Sequence, residues 1–428
     1  MLAMRSRLFG VLFVLLLVLT TASRALFAEQ TFRLQTVRVI GSHRFREEEL
    51  VATLGLKRGD TVSVETLQKA ADRLMATGVL ASLEYKYTPL STGLLVEYTA
   101  TDGADFLSCR YDNIVWMNSE DLTKAVHEKV PLYNGEAPSS GELLDQIKQA
   151  ISDVLAQQGI ATSVRYELHA QGVGGPIDGV SFVSDTVRPK VQEILLTGAP
   201  LLTPQERVES TKRLIGDEYS ATNLHDSLLR SLFFVYGNKG YLRMRVGEPA
   251  AKIVGDPKQA MVSVTVAVEE GPQYRWKGIT WTGNSTISTG DLDKAVPLRA
   301  GEIADHSKLD LGLSGVQRAY KSKGYIGMKL QRTPSFDDQD HTVSYEVKVT
   351  EGDQFRMGAL HIMGVDAAVA DKLQKNWKMA RGDAYNDEYL QTFLKENAAL
   401  ITGSGRAKTL KTLQSPTPDK MVDVTLQF

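Results

Sequence analysis

Side chains that could bind a metal ion or carry out catalysis are present, but their spacing assembles no recognised site. The seven histidines, at positions 43, 127, 169, 225, 306, 341 and 361, form no His-Glu-x-x-His pair, the spacing that places two zinc ligands on one helical face. The acidic run 337–340 lacks the spaced ligands and closing glutamate of a calcium loop, so we interpret it as a polar hairpin tip. The sequence therefore predicts no metal site and no cofactor.

Candidate nucleophiles are equally isolated. His225, Asp226 and Ser227 are the residue types of a hydrolytic triad, but neighbouring positions on a helix point in different directions, so we expect a solvated face. The glycine-rich stretch 172–175 is followed by no Lys-Ser or Lys-Thr pair and predicts a loop between strands. Cys109 is the only cysteine, which excludes an intrachain disulfide, and we expect a small buried residue in a strand. No enzyme is predicted.

Composition narrows the class of protein. Hydrophobic residues make up 43% of the 428 residues and charged residues 23%, as in an ordinary soluble protein. The formal net charge is -2, whereas nucleic-acid binding requires clustered lysine and arginine. We therefore expect protein partners and no nucleic acid.

The N-terminal segment differs from the rest of the chain. Arg5 and Arg7 precede an apolar run over 8–19, and small residues follow it, which is typical of a secretory signal. We predict a signal peptide at residues 1–28 and export to the periplasm, with cleavage after Ala25 or, alternatively, after Ala28. A retained membrane anchor is the other interpretation, but the run is short against the roughly 20 residues that a span requires.

Two series of glycines recur in the same phase, at intervals of about 80 residues. In the first series a glycine is followed by Asp or Glu, and in the second a glycine ends a helical pattern and starts a strand pattern. The first series is Gly59, Gly135, Gly216, Gly301 and Gly382; the second is Gly78, Gly159, Gly240, Gly324 and, less cleanly, Gly403 or Gly405. We interpret these glycines as structural turns of one small fold that is used five times.

The fourth copy shows the unit most clearly. Leu309, Leu313, Val316 and Tyr320 have the spacing of one apolar helical face, and valine and tyrosine alternate with polar residues over 343–349. The order is strand, helix, helix, strand, strand. Alternation in the last strand indicates a sheet that is buried on one face only. We predict an α+β protein of tandem β-α-α-β-β modules, each a three-stranded mixed sheet with two helices on one face, arranged as an extended rod.

The expected copies follow the signal peptide with almost no linkers. The second copy departs most from the pattern, because Asn118 stands where the others have a glycine after the first strand. The predicted modules are 30–102, 103–186, 189–270, 271–352 and 353–428.

This unit resembles the POTRA (polypeptide-transport-associated) domain. The resemblance rests on the glycine after the first strand, the Gly-Asp or Gly-Glu pair before the second helix, the Lys-Gly-Tyr sequences at 239–241 and 323–325, and the valine-rich last strand. It covers residues 30–428. Five such domains in series resemble the periplasmic POTRA array of BamA/Omp85 outer-membrane assembly proteins, although we expect no β-barrel after residue 428. Two other interpretations stay open: a membrane-anchored division scaffold of the FtsQ type, and a truncated Omp85-family barrel protein.

The resemblance implies a non-catalytic scaffold that binds unfolded outer-membrane proteins or outer-membrane assembly components, with a peripheral or indirect membrane association. The middle strand of each unit is then expected at a sheet edge, where an extended client could add a further strand. The predicted partner-binding residues are Tyr241, Leu242, Arg243, Met244, Arg245, Val246, Tyr325, Ile326, Met328, Lys329 and Leu330. Among them, the charged residues Arg243, Arg245 and Lys329 could either contact the client or protect the edge against aggregation.

Overall fold

The structure is a computed structural model, and it describes residues 30–170, 175–402 and 411–428. The predicted signal peptide, most of the glycine-rich loop and the Gly403 or Gly405 turn lie outside these residues. The helices that the structure describes are all too short or too polar to cross a bilayer.

The chain forms two compact units. The first extends up to Leu195 and includes Arg213–Leu224 and Pro249–Thr265; the second comprises Leu196–Lys212, His225–Glu248 and Val266–Phe428.

The elements follow the predicted order of strand, helix, helix, strand, strand, and we call each such group a module. The first module consists of β1 (Phe32–Ile40), α1 (Glu47–Leu54), β2 (Thr61–Val62), α2 (Val64–Ala76), β3 (Leu80–Leu90) and β4 (Gly93–Asp102). The second consists of β5 (Phe106–Tyr111), α3 (Ser119–Lys129), β6 (Glu136–Pro138), α4 (Leu143–Gln157), β7 (Val164–Ala170) and β8 (Ile177–Ser184).

The later modules repeat this order. The third consists of β9 (Lys190–Thr197), α5 (Pro204–Thr211), α6 (Ala221–Asn238), β10 (Arg245–Val246), β11 (Ala250–Val254) and β12 (Met261–Glu269). The fourth consists of β13 (Arg275–Thr282), α7 (Thr289–Ala295), α8 (His306–Lys321), β14 (Lys329–Asp337) and β15 (Thr342–Thr350). The fifth consists of β16 (Arg356–Met363), α9 (Ala367–Asn376), α10 (Asp387–Glu396), α11 (Ala398–Thr402), β17 (Lys411–Pro416) and β18 (Met421–Gln427).

The sheets of the first, second, fourth and fifth modules are mixed, and the last strand of each of these modules lies at the centre. In the fourth module β13 pairs with β15 in parallel and β14 pairs with β15 antiparallel, so that Trp281 and Arg332 flank Val347. The predicted mixed sheet is therefore confirmed. Three modules have four strands rather than the expected three: β2 and β6 add to β1 and β5, and in the third module β10 and β11 both pair with β12.

The alternating valines form the core beneath the helices. Val343 and Val347 on β15 have no exposed surface, and the polar residues between them face the other side of the sheet. The predicted helical face of α8 is buried, and Asp305 caps the helix by accepting hydrogen bonds from the Ser307 and Lys308 amides. The alternating apolar residues of the strand and the periodic apolar residues of the helix therefore pack together in one core, as predicted.

The glycine that precedes an acidic residue binds the first strand of its own module. In the fourth module the Gly301 amide donates to the Trp276 carbonyl, and the Trp276 amide donates to the Glu302 carbonyl, both at 2.8 Å. The same reciprocal pair forms in the first, third and fifth modules. Gly301 has a φ of +86°, which favours glycine. The Glu302 carboxylate closes the turn by accepting the Arg299 amide, so the acidic residue also has a local role.

The second module replaces the glycine after its first strand with an asparagine, but at a different position from the expected one. Asn113 is buried, and its side chain donates to the Ser184 carbonyl at 3.0 Å and accepts from the Ser184 amide at 2.7 Å. Asn118, which the sequence placed there, is instead the N-cap of α3 and accepts from the Asp121 amide. The expectation for Asn118 was wrong because a helix cap and a strand end favour the same polar residue types.

Candidate polypeptide-binding edges

The middle strand of each module lies at the outside of its sheet. β3 and β14 each pair with one neighbour only, the central strand. β14 pairs with β15 over all nine residues without a register shift, and it is exposed along most of its length. β3 is similarly continuous from Ser82 to Leu90. Both strands present backbone groups on the outer side, which is the template that a further strand requires, except that Pro334 in β14 and Pro89 in β3 have no N–H to donate.

The opposite edge of the sheet is less suitable for strand addition. The glycine-acidic turn already occupies the beginning of β13, at Trp276, and the register then shifts between Trp276 and Gly278. β1 and β16 have comparable shifts, between Leu34 and Thr36 and between Met357 and Leu360. Because bulges and covering segments both blunt a sheet edge, the middle strand is the better edge in these modules.

The structure corrects the predicted start of two middle strands. We expected strands from Tyr241 and Tyr325, but the strands begin four residues later, at Arg245 and Lys329. The residues between form a turn. The Met244 amide donates to the Tyr241 carbonyl. The turns consist of Tyr241, Leu242, Arg243 and Met244 in the third module, and of Tyr325, Ile326, Gly327 and Met328 in the fourth.

These turns contact the next module rather than an open edge. Leu242 packs against the core of the fourth module, and Ile326 packs against the core of the fifth. The Tyr274 amide donates to the Gly240 carbonyl, and the Phe355 amide donates to the Gly324 carbonyl, both at 2.8 Å. Of the predicted partner-binding residues, the structure therefore places only Arg245, Val246, Lys329 and Leu330 in strands.

Arg243 belongs to the same joint. Its guanidinium pairs with Asp338 and lies 5.3 Å from the centre of the Phe336 ring. The Tyr274 hydroxyl donates to the Asp338 carboxylate at 2.6 Å. The hydrogen bonds from Tyr274 and Arg243 lower the pKa of Asp338. The hairpin tip that the acidic run predicted is present, and its carboxylate joins the fourth module to the third.

A groove accompanies the edge of the fourth module. It lies between α8 and β14, has a volume of about 290 Å³, and is lined by Asp310, Leu313, Ser314, Gln317, Leu330 and Arg332. Asp310 and Arg332 form an ion pair across it. The second carboxylate oxygen of Asp310 lies 3.1 Å from Nε2 of His306. Sequence reasoning missed this cluster because its members come together only through the packing of the helix on the sheet.

A half-buried carboxylate holds the end of the fourth module. Glu351 follows the central strand and accepts five hydrogen bonds, from the amides and hydroxyls of Ser285 and Thr286 and from the Tyr320 hydroxyl, at 2.7–2.9 Å. Burial by itself would raise the pKa of Glu351. The hydrogen bonds outweigh burial and lower the pKa to about 2. Asp102 and Glu270 have related contacts in the first and third modules.

In the first unit, neighbouring modules are joined by different contacts. The first and second modules share one continuous hydrophobic core, and Arg44 pairs with Glu136 and lies 3.7 Å from the Phe106 ring centre. Asp112 of the second module caps the start of α6, accepting hydrogen bonds from Ala221 and Thr222. Side chains that could have served chemistry are thus used to connect modules.

The residue types considered for catalysis form no triad. His225 Nδ1 lies 3.4 Å from Asp226 Oδ1, but its Nε2 lies 3.1 Å from the Val246 carbonyl oxygen, and Ser227 accepts from Arg230 instead of contacting the imidazole. Within the described parts of the chain, no three His, Cys, Asp or Glu side chains converge on a possible metal position. Cys109 is half-buried in β5.

The Cys109 thiol should be unreactive in the folded protein. Burial raises its pKa to about 12, and the Glu136 charge adds to the shift. Since only the thiolate reacts, iodoacetamide at mild alkaline pH should label native protein at least about 100-fold more slowly than protein unfolded in guanidinium. Mass spectrometry of labelled protein measures this, and Cys109→Ser is the blank. Equal rates in both states would contradict the raised pKa of the thiol.

Comparison with known proteins gives the family of the first and fourth modules. The POTRA family model, described as "Surface antigen variable number repeat", matches residues 32–99 and 274–352. A protein of Treponema pallidum (strain Nichols) with the name "Putative outer membrane protein assembly factor" is 28% identical over 154 residues, which is 35% of this chain and 18% of that protein. The outer membrane protein assembly factor BamA of Buchnera aphidicola subsp. Acyrthosiphon pisum (strain APS) is 20% identical over 173 residues, 40% of this chain and 28% of the relative.

The chain thus spans between about a fifth and a third of the length of these curated relatives. Among solved structures, that of POTRA3-5 of BamA from Haemophilus influenzae has a TM-score of 0.42 at 19% identity and covers 56% of this chain and 95% of its own. The family match at residues 32–99 and 274–352 coincides with the helix-covered mixed sheets of the first and fourth modules. The chain therefore contains POTRA domains at residues 32–99 and 274–352, and it resembles the POTRA arrays of BamA/Omp85 proteins.

Proposed function

We propose that this chain is a non-catalytic periplasmic scaffold for outer-membrane protein assembly or transport. The observation that carries the proposal is a POTRA module with one continuous, exposed sheet edge, as at β14. The names of the two curated relatives, both outer-membrane assembly factors, support a role in outer-membrane protein assembly. The proposed partners are unfolded outer-membrane proteins or assembly components.

Binding would occur by strand addition. An extended client places its backbone N–H and C=O groups against the free outer side of a middle strand and becomes the next strand of the sheet. Because the contacts are made by the backbone, clients of different sequence are accepted. β3, which pairs without a shift from Ser82 to Leu90, and β14, which does so over nine residues, provide the long edges for this binding.

The proposal includes the organisation and location of the chain. Residues 1–28 act as a signal peptide, and the POTRA-like modules occupy 30–102, 103–186, 189–270, 271–352 and 353–428. The mature chain would lie in the periplasm and associate with the outer membrane through its partners. Protease protection and fractionation of cells that produce the full chain test this location.

Photocrosslinking from two matched threonines tests strand addition. Thr333 on β14 and Thr280 on β13 are both exposed and lie opposite the same residue, Glu346, on either side of the central strand. With p-benzoylphenylalanine at each position in cells, we expect Thr333 to capture unfolded outer-membrane proteins and Thr280 to capture several-fold less. Equal capture at the two positions, or none at Thr333, would contradict binding at the middle-strand edge.

A further inference from the structure

The groove of the fourth module is crossed by a charge pair that belongs to its edge strand. Arg332 lies on β14 opposite Val347, and its guanidinium pairs with Asp310 on α8. Beside the pair the groove is lined by the apolar Leu313 and Leu330 and by the uncharged Ser314 and Gln317. The ion pair therefore connects the helix to the sheet edge over the surface that an added strand would cover.

Asp310 is held by a residue that also contacts the third module. His306 lies 3.1 Å from the second oxygen of Asp310 and is itself held in place, with its ring edge-on to Phe233 at 4.8 Å between centres. The side chains of Asp310 and Arg332 are 49% and 38% exposed, so water reaches both ions. An ion pair with this exposure is weak and can open readily.

The first and second modules have an aromatic residue at this register, whereas the fifth has Thr412, which lies opposite Leu426. The modules can be aligned on the glycine after the first strand, which contacts Ala100 of the central strand in the first module and Val349 in the fourth. Two residues before that contact, Tyr98 lies opposite Tyr85 and Val347 lies opposite Arg332. In the second module, Tyr166 lies opposite Phe182. These tyrosines pack on the central strand, at 5.3 Å and 6.3 Å between ring centres. The charge over the groove is thus specific to the fourth module among these four.

We propose that the Arg332–Asp310 ion pair is an autoinhibitory closure of the β14 edge, which an uncharged, alternately apolar polypeptide segment must displace to bind. The proposal rests on the proposed function, since it concerns regulation of the same edge. Alternate side chains of an added strand project to the helix side of the sheet. There they would reach Leu313 and Leu330 only after the Arg332 side chain has moved. The two ions neutralise each other, so the groove offers no net charge to a charged client.

The test compares capture of one probe at two edges of the same protein. The probe is a nine-residue peptide of alternating valine and threonine, matched to the length of β14, with a benzophenone at its centre. Crosslinks at β14 are quantified by mass spectrometry relative to crosslinks at β3, which lacks the ion pair. The variants of the full chain are Arg332→Ala, Asp310→Ala, and the exchanged pair Asp310→Arg with Arg332→Asp.

Each single variant should raise relative capture at β14 by about two- to five-fold, the range expected for losing an exposed ion pair. The exchanged pair should return capture to the wild-type value. Ionic strength of about 1 M, where the screening length is about 3 Å, should raise wild-type capture toward that of Arg332→Ala.

Three outcomes separate the two proposals. Unchanged or reduced capture at β14 in Arg332→Ala, with β3 unaffected, would overturn the closure and leave strand addition standing. Increased capture in the exchanged pair would also overturn the closure. Capture would then rise although the attraction between the two ions is restored, so loss of that attraction could not be the cause in the single variants. Absence of capture at both edges in every variant would overturn the proposed function itself.

Discussion

Replacement of Glu351 by alanine should lower the free energy of local unfolding of the fourth module by about 3 kcal/mol. The carboxylate accepts five hydrogen bonds, including two from backbone amides, and alanine leaves all five donors without this acceptor. Ser285 and Thr286 start the segment that enters α7, so the helix would lose its attachment to the end of the sheet. Such losses at partly buried charged groups are among the larger effects of single substitutions.

Hydrogen exchange of the full chain measures this effect without requiring two-state unfolding of all modules. Exchange of the β15 amides gives the local free energy in the wild type and in Glu351→Ala. Glu346→Ala is the matched control, because Glu346 lies on the same strand but is exposed. It should change the free energy by less than about 0.5 kcal/mol. A Glu351 effect as small as this would refute the structural role.

The same residue predicts a pH dependence with a defined sign. Its pKa is lowered from 4.5 to about 2 in the folded protein, so its contribution is complete above pH 4.5. The contribution should decrease as the pH falls from 4.5 toward 2, because the unfolded chain then binds a proton more readily than the folded one. The difference between wild type and Glu351→Ala should therefore shrink over this window, and exchange measured across it is the check.

Replacement of Gly324 by alanine should open the joint between the fourth and fifth modules, at a cost of about 3 kcal/mol. Its φ of +91° costs an alanine about 1–2 kcal/mol. In addition, a methyl group there would overlap the Phe355 carbonyl oxygen, which accepts the Tyr385 amide at 3.0 Å in the fifth module. The backbone on one side must therefore move.

A second glycine separates these two costs. Gly301 has a similar φ of +86°, but a methyl group there would meet no atom within 4 Å. Gly301→Ala should show the conformational cost alone. In Gly324→Ala the Phe355 and Tyr385 amides should also exchange faster, whereas Gly301→Ala should leave both protected. Unchanged protection of these two amides in Gly324→Ala would mean that the joint tolerates the methyl group.

The order of elements was predictable because its signals are local. The face of Leu309, Leu313, Val316 and Tyr320 is encoded by helical spacing, and the alternation over 343–349 by the pleat of a strand. Both depend only on which side of an element faces the core. Repetition of the same pattern along the chain then gave the module and its resemblance to POTRA domains.

The turns after Gly240 and Gly324 could not be read in this way. Tyrosine and leucine or isoleucine favour strands, so both segments match a strand pattern. The choice of a turn is made by contacts with another module, such as that of Leu242 with the fourth core. One signal was present: Gly-Tyr-x-x-Met recurs in both copies, at a spacing that fits a four-residue turn. Side-chain pairs such as Asp310 and Arg332 leave no comparable pattern in the sequence.

The first strand of a module limits how many polypeptide segments the module can bind by strand addition. Because the beginning of β13 is occupied at Trp276 and a bulge lies beside it, a module of this kind offers one good edge for an added strand. Under the proposed function, a long client would then be retained by avidity, engaging one acceptor after another at a high effective concentration. Each engagement stays weak enough to release, so the client can be passed forward without any input of chemical energy.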